Sequence, residues 1–262
     1  MVFSNSIGVK LATLLCFLSF FFSGFAQKTG IYTDDYVVYK EAQDLFDKEK
    51  FSAAQEKFLE VISVMKGEQN EVEVNSEYYY AVCALELFHE DAEYLLSRFA
   101  VEHPDHSKAQ KVYFQLGRQK YRLKKFKSVI EYFEQVDPFY LADNEKIEYE
   151  FKLGYSYFYV KKFDKAKIHF AEVKELSSSY QTPAIYYYSH IAYSGGNYQT
   201  ALIGFKKISD SEMFKNIVPY YVAQIYHKQE KYEELIDYAP KYFESISKKR
   251  RAEFAKLIGD AY

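Results

Sequence analysis

From residue 35 onward, apolar and polar positions keep one rhythm. In FKLGYSYFYVKKFDKAKIHFAEV (151–173), Leu153, Gly154 and Tyr157 share one face of a helix at about 100° per residue. A polar break, KKF at 161–163, comes next, and Ala166, Phe170 and Val173 then form a stripe at i, i+4 and i+7. The pattern predicts two amphipathic helices joined by a tight turn. The small residues Gly154 and Ala166 would let the two axes approach closely.

The same ladder recurs along the chain. Counted from Gly154, an aromatic (Phe163) stands at plus nine, Ala166 at plus twelve, Phe170 at plus sixteen and Val173 at plus nineteen. At those offsets Ala42 is followed by Phe51, Ala54, Phe58 and Val61, and Gly117 by Phe126, Val129, Phe133 and Val136. Ser189 is followed by Tyr198, Ala201, Phe205 and Ile208; Ala223 gives a looser match with Tyr232, Leu235, Ala239 and Tyr242. Ala81 fits with one residue missing from its turn, which brings Ala92, Leu96, Phe99 and Pro104 into phase. Gly259 opens a seventh copy that stops at Tyr262, and the successive reference residues lie 39, 36, 37, 35, 34 and 36 positions apart. Two segments depart from the rhythm: a polar, acidic connection at 65–75 and a loop at 177–183 that leads into the next helix at Pro183. No helix pair can bury its apolar face alone, so the copies must stack.

A period near 34 with Leu-Gly at 116–117 and 153–154, a turn aromatic, Ala-x-x-x-Phe and the late Pro104 resembles the tetratricopeptide repeat (TPR). The resemblance covers residues 35–262, although the family's early Trp is absent throughout. It implies an all-α, right-handed TPR-type helical-hairpin solenoid of about six repeats plus the start of a seventh. The repeats would span roughly 35–68, 74–107, 110–143, 147–180, 182–215 and 216–249, with a partial copy at 252–262.

The resemblance also implies that the first helix of each repeat lines a concave face. Positions minus three, plus one, plus four and plus five from the small reference residue fall in one sector of that helix. These offsets select Phe114, Arg118, Tyr121 and Arg122 in the third copy and Phe151, Tyr155, Phe158 and Tyr159 in the fourth. In the fifth they select Tyr186, His190, Tyr193 and Ser194, and in the sixth Tyr220, Gln224, His227 and Lys228. The expected site is a tyrosine-rich partner-binding groove edged by Arg118, Arg122 and Lys228. Tyrosine suits such a surface because it offers a large contact area, few rotatable bonds and a polar tip. The alternative is that these rings only pack between helices.

Composition adds the chain's destination. Before the ladder, LATLLCFLSFFF follows the lone charge Lys10, and small residues stand at Gly24 and Ala26. This is the layout of a signal peptide, residues 1–26, cleaved after Ala26, with a short linker at 27–34. The apolar run is short for a membrane span. Cys16 follows Leu15 rather than a small residue, which argues against a lipoprotein signal. The expectation is an exported protein, periplasmic or outer-membrane-associated, resembling envelope TPR proteins of Bacteroidetes-type bacteria, with no transmembrane span once the signal is removed. Removing residues 1–26 takes away Lys10 and no acid, so the net charge moves from −3 to −4 and gives no reason to expect nucleic acid. Cys83 is then the one remaining cysteine and packing must supply the stability, for which a hydrophobic content of 48% suffices.

Chemistry is sparse. The sequence has no G-x-S-x-G, P-loop, H-E-x-x-H or C-x-x-C. EHPDH (102–106) offers metal-ligand types, but the simpler reading is a solvated turn whose proline sits at the repeat's own proline position. SKKRR (247–251) reads as the solvated start of the seventh copy. The sequence therefore points to a non-enzymatic protein–protein interaction scaffold of the cell envelope, without cofactor or metal, that holds a partner peptide or helix. Two alternatives stay open: a spacer or anchoring solenoid within a longer TPR protein, and a module binding an envelope glycan or polyanion.

Overall fold

The computed structural model describes residues 34–262, and every regular element among them is helical. The expected signal peptide, and the linker up to residue 33, lie outside the described residues. The chain packs as two compact units, one ending at Ser76 and one running Glu77–Tyr262.

In the first unit, α1 (Asp34–Asp47) and α2 (Phe51–Val64) form a hairpin. Ala42 and Ala54 are fully buried, which brings the two backbones together, and Tyr39 packs edge-on to Phe58 with centroids 6.2 Å apart. The acidic connection after α2 is more structured than its composition suggests. Asn70 Oδ1 accepts from the Glu73 N–H at 2.9 Å, while the Glu73 carboxylate accepts from the N–H groups of Gly67 (2.8 Å) and Gln69 (2.6 Å). These bonds cap the start of α3 (Glu71–Glu86) inside the stretch expected to be a connection.

The second unit takes α3 from Glu77 on, followed by α4 (Ala92–Glu102), α5 (Val112–Arg122), α6 (Phe126–Phe133), α7 (Asp143–Tyr159) and α8 (Phe163–Val173). It continues with α9 (Gln181–Ser194), α10 (Tyr198–Lys207), α11 (Val218–Lys228), α12 (Tyr232–Tyr238) and α13 (Lys248–Gly259). The plus-twelve and plus-sixteen rungs form its spine: Val129, Phe133, Ala166, Phe170, Ala201, Phe205, Leu235 and Ala239 are all fully buried. Ala92, Leu96 and Phe99 occupy the same layer one residue early, as the shortened second turn requires. The seventh copy's helix begins at Lys248, ahead of the expected 252, and Phe254 anchors it.

The close approach of paired helices is visible at the reference glycines. A Cβ on Gly117 would lie 2.1 Å from the Phe133 ring, and one on Gly154 would lie 3.0 Å from His169 Cβ and 3.2 Å from the Phe170 ring.

One regularity had no sequence signature. The residue seven after each reference position is left-handed: Glu49, Phe88, Lys124, Lys161, Gly196 and Glu230 have φ between 56° and 77°. At each, its own N–H bonds to the carbonyl three back and the next N–H to the carbonyl five back, as in Lys161 N–H to Phe158 (3.0 Å) and Lys162 N–H to Tyr157 (2.9 Å). This is the Schellman closure of a helix. Six hairpins thus turn on the same dihedral, and one of the six uses glycine there.

Candidate functional site

The sequence selected four offsets on the first helices, and the structure separates them by depth. Plus-five residues Arg122, Tyr159, Ser194 and Lys228 are exposed. Plus-one residues (Arg118, Tyr155, His190, Gln224) and plus-four residues (Tyr121, Phe158, Tyr193, His227) are all half-buried. Minus-three residues go inside: Phe114, Phe151 and Tyr220 are buried and Tyr186 is partly so. Phe114 stacks on Phe133 (5.7 Å), Phe151 packs against Phe170 (5.9 Å) and Tyr186 lies near Phe205 (6.1 Å). In the third, fourth and fifth copies the plus-sixteen aromatic draws the minus-three ring into the spine; in the sixth, where plus-sixteen is Ala239, Tyr220 is buried against Arg250 with its hydroxyl on Glu253. These positions therefore belong to packing rather than to an open face, which corrects the expectation for Phe114, Phe151 and Tyr220.

What remains is an aromatic row crossing α5, α7, α9 and α11. Tyr121 meets Tyr155 (5.7 Å), Tyr155 meets Tyr187 (5.1 Å) and Tyr187 meets Phe158 (4.9 Å). Phe158 meets His190 (5.6 Å), His190 meets Tyr221 (5.5 Å) and Tyr221 meets Tyr193 (5.3 Å). Aromatic pairs at such spacings hold one another rigid. Tyr187 and Tyr221, both at minus two, are links of the row that the offset rule missed. Their adjacency to the minus-three aromatics was the available signal.

Polar groups tie the row's far end. Tyr193 donates to Gln224 Oε1 (3.0 Å), Gln224 Nε2 to the Tyr220 hydroxyl (2.8 Å), and Tyr220 to Glu253 Oε2 (2.5 Å). The Arg250 guanidinium lies 4.9 Å from the Tyr220 ring and 5.5 Å from that of Tyr221, so part of SKKRR is packed rather than solvated. His190 Nδ1 is buried without a hydrogen-bond partner, and burial, helped by Arg250, lowers its pKa and keeps the ring neutral.

Of the expected cationic edge, Arg118 and Arg122 are already engaged. Arg118 Nε donates to Glu148 Oε1 at 2.8 Å and Nη1 lies 3.8 Å from Glu86, while Arg122 pairs with Glu86 and covers the Phe88 ring at 4.9 Å. Lys152 also pairs with Glu148. Burial alone would raise the Glu148 pKa, but Lys152 and Arg118 outweigh it and hold the carboxyl below its usual range. The acids sit 30 to 36 positions away in sequence from the arginines, on other helices and beyond the reach of one helix's periodicity.

The remaining chemistry-bearing residues are structural. His103 Nε2 lies 2.7 Å from Glu77, and His106 Nδ1 accepts from the Lys108 N–H. Among the described residues no group of three or more His, Cys, Asp or Glu could hold a metal ion, and no helix is long and apolar enough to cross a membrane. Cys83 is fully buried, and burial pushes its thiol up to about 12.

Paired helices, a shared turn and a recurring spine can be compared with solved structures. The Pseudomonas aeruginosa PilF structure aligns over 85% of this chain and 96% of its own, with a TM-score of 0.57 at 11% identity. A tetratricopeptide repeat protein from Parabacteroides merdae aligns over 87% and 88%, TM-score 0.52, at 13% identity. The fold is a TPR-type helical-hairpin solenoid. The C-terminal part of a TPR repeat-containing protein from Cytophaga hutchinsonii is similar in the same way: 87% and 84% covered, TM-score 0.52, 19% identity. No family model matches the chain, and no curated protein does. At these identities the likeness concerns the fold.

Proposed function

We propose that this TPR-type solenoid is a non-enzymatic protein-interaction scaffold of the bacterial cell envelope, and that it holds an extended peptide or a helix of its partner along the aromatic row. One observation carries the reading: the plus-one and plus-four side chains are half-buried and the plus-five side chains exposed on all four first helices, α5 to α11. The row therefore offers pre-positioned rings whose ordering cost is already met by neighbouring rings. Arg118 and Arg122, held by Glu86 and Glu148, shape its edge rather than supply free charge. The envelope location rests on the signal-like residues 1–26.

The experiment is affinity capture from the native envelope with the wild-type chain and with Tyr155→Ala and Tyr193→Ala, each checked for folding by circular dichroism. A reproducible partner lost in both folded variants supports the reading. Equal recovery by all three sinks it.

A further inference from the structure

A separate feature lies between α9 and α10, and it does not rest on the aromatic row. Fifteen residues after the reference position, the other regular copies carry a long side chain: Lys57, Tyr132, His169 and Tyr238. Each of the last three is anchored. Tyr132 bonds Glu93, His169 Nδ1 lies 2.6 Å from Glu150 and its ring stacks on Tyr157, and the Tyr238 hydroxyl lies 2.7 Å from Ser209 Oγ. The fifth copy has Gly204 instead. Where that side chain is missing, a pit of about 190 Å³ opens, with Ile185, Ile203 and the Tyr188 ring as walls.

At Gly204 the pit meets Ser189, and a Cβ on Gly204 would lie 2.0 Å from Ser189 Oγ. That oxygen is buried and has no hydrogen-bond partner, in a residue 1% exposed. The other buried serines do not share this: Ser76, Ser156 and Ser209 each donate to the carbonyl four residues back. A buried hydroxyl left without a partner is destabilising, and a ligand group that reaches it relieves that cost. At the rim, Lys174 Nζ lies 2.5 Å and Lys207 Nζ 3.5 Å from the two oxygens of Glu175, so two ammonium groups share one carboxylate.

We propose that this pit is a binding site for a small aromatic carboxylate. Its ring takes the place of the side chain that Tyr132, His169 and Tyr238 supply in their copies. A cavity of about 150 Å³ already accepts benzene. A polar substituent on the ring meets Ser189 Oγ, and the carboxylate meets the uncompensated positive charge of Lys174 and Lys207.

The test is titration of the purified chain with 4-hydroxyphenylacetate, followed by amide NMR shifts at Ser189, Gly204 and Lys207. Tyramine (ring, opposite charge) and acetate (charge, no ring) are the comparison probes. The expected result is saturable shifts at all three amides, with affinity at least about tenfold above either comparison probe. Gly204→Tyr, which rebuilds the missing side chain, should abolish them. Lys174→Gln/Lys207→Gln, at the solvent-facing rim, should weaken binding about tenfold and keeps the test valid if Gly204→Tyr does not fold. The proposal is overturned if no saturable shift appears by about 10 mM. It is equally overturned if tyramine or acetate binds as well, or if the lysine pair can be removed without effect.

Discussion

The shared left-handed turn gives a quantitative prediction. Glu49, Lys124, Lys161 and Glu230 occupy φ of 56–63° and are exposed, with no hydrogen bond or ion pair from their side chains. A left-handed conformation costs an L-residue roughly 1–2 kcal/mol, and glycine avoids that cost. Glycine loses about 0.5–1 kcal/mol in extra chain entropy, so the net gain is about 0.5–1 kcal/mol per site. Stability in a repeat array is close to additive for separated sites, which gives about 2–4 kcal/mol for the quadruple variant Glu49→Gly/Lys124→Gly/Lys161→Gly/Glu230→Gly. For a chain of this size that is roughly 5–15 °C in Tm. Phe88 is left alone because Arg122 lies over its ring. The converse change, Gly196→Ala at φ 77°, should cost about 1 kcal/mol. Urea and thermal unfolding followed by circular dichroism read both. A quadruple variant no more stable than the wild type, or an unaffected Gly196→Ala, would refute the argument from the turn.

Gly117→Ala should destabilise by about 1–3 kcal/mol, because the new methyl group meets the Phe133 ring at 2.1 Å; Gly154→Ala, with its closest contact at 3.0 Å, should cost less in the same urea titration. Phe170→Ala should cost about 3–5 kcal/mol by removing a fully buried ring, whereas Ile168→Ala, at a position 64% exposed, should stay within about 0.5 kcal/mol. Glu148 has a folded pKa below its ordinary 4.5, so its stabilisation is fully present above about pH 4.5 and is lost as pH falls through the depressed folded value. Glu148→Gln should therefore be less stable than wild type near neutrality, and the gap should close on acidification below pH 4.5.

The helical spine was legible because its signal is local. Small residues, turn aromatics and buried phenylalanines recur at fixed offsets, and even the one-residue deletion before Ala92 could be located. Three features were not legible. The left-handed turn residue varies among Glu, Phe, Lys and Gly because hydrogen bonding, not side-chain identity, imposes it. The sector rule placed minus three on the open face because helical angle alone does not include the neighbouring helix, whose Phe133, Phe170 and Phe205 draw those rings inward. The engagement of Arg118 and Arg122 by Glu86 and Glu148 depends on which helices stack, and one helix's periodicity cannot report that. The start of α3 falls inside the polar, acidic stretch expected as a connection, because composition does not report that Glu73 closes a cap there.

On the proposed function, a partner lies along the aromatic row of the first helices. The most direct measurement places a photo-crosslinking residue at Tyr159 or Lys228, the exposed plus-five positions, and at Ile168 or Ile203, exposed on second helices, in the native cell. One discrete adduct is expected from the first pair and none from the second. Adducts from Ile168 and Ile203 alone, or the same adduct from all four positions, would contradict the proposed function.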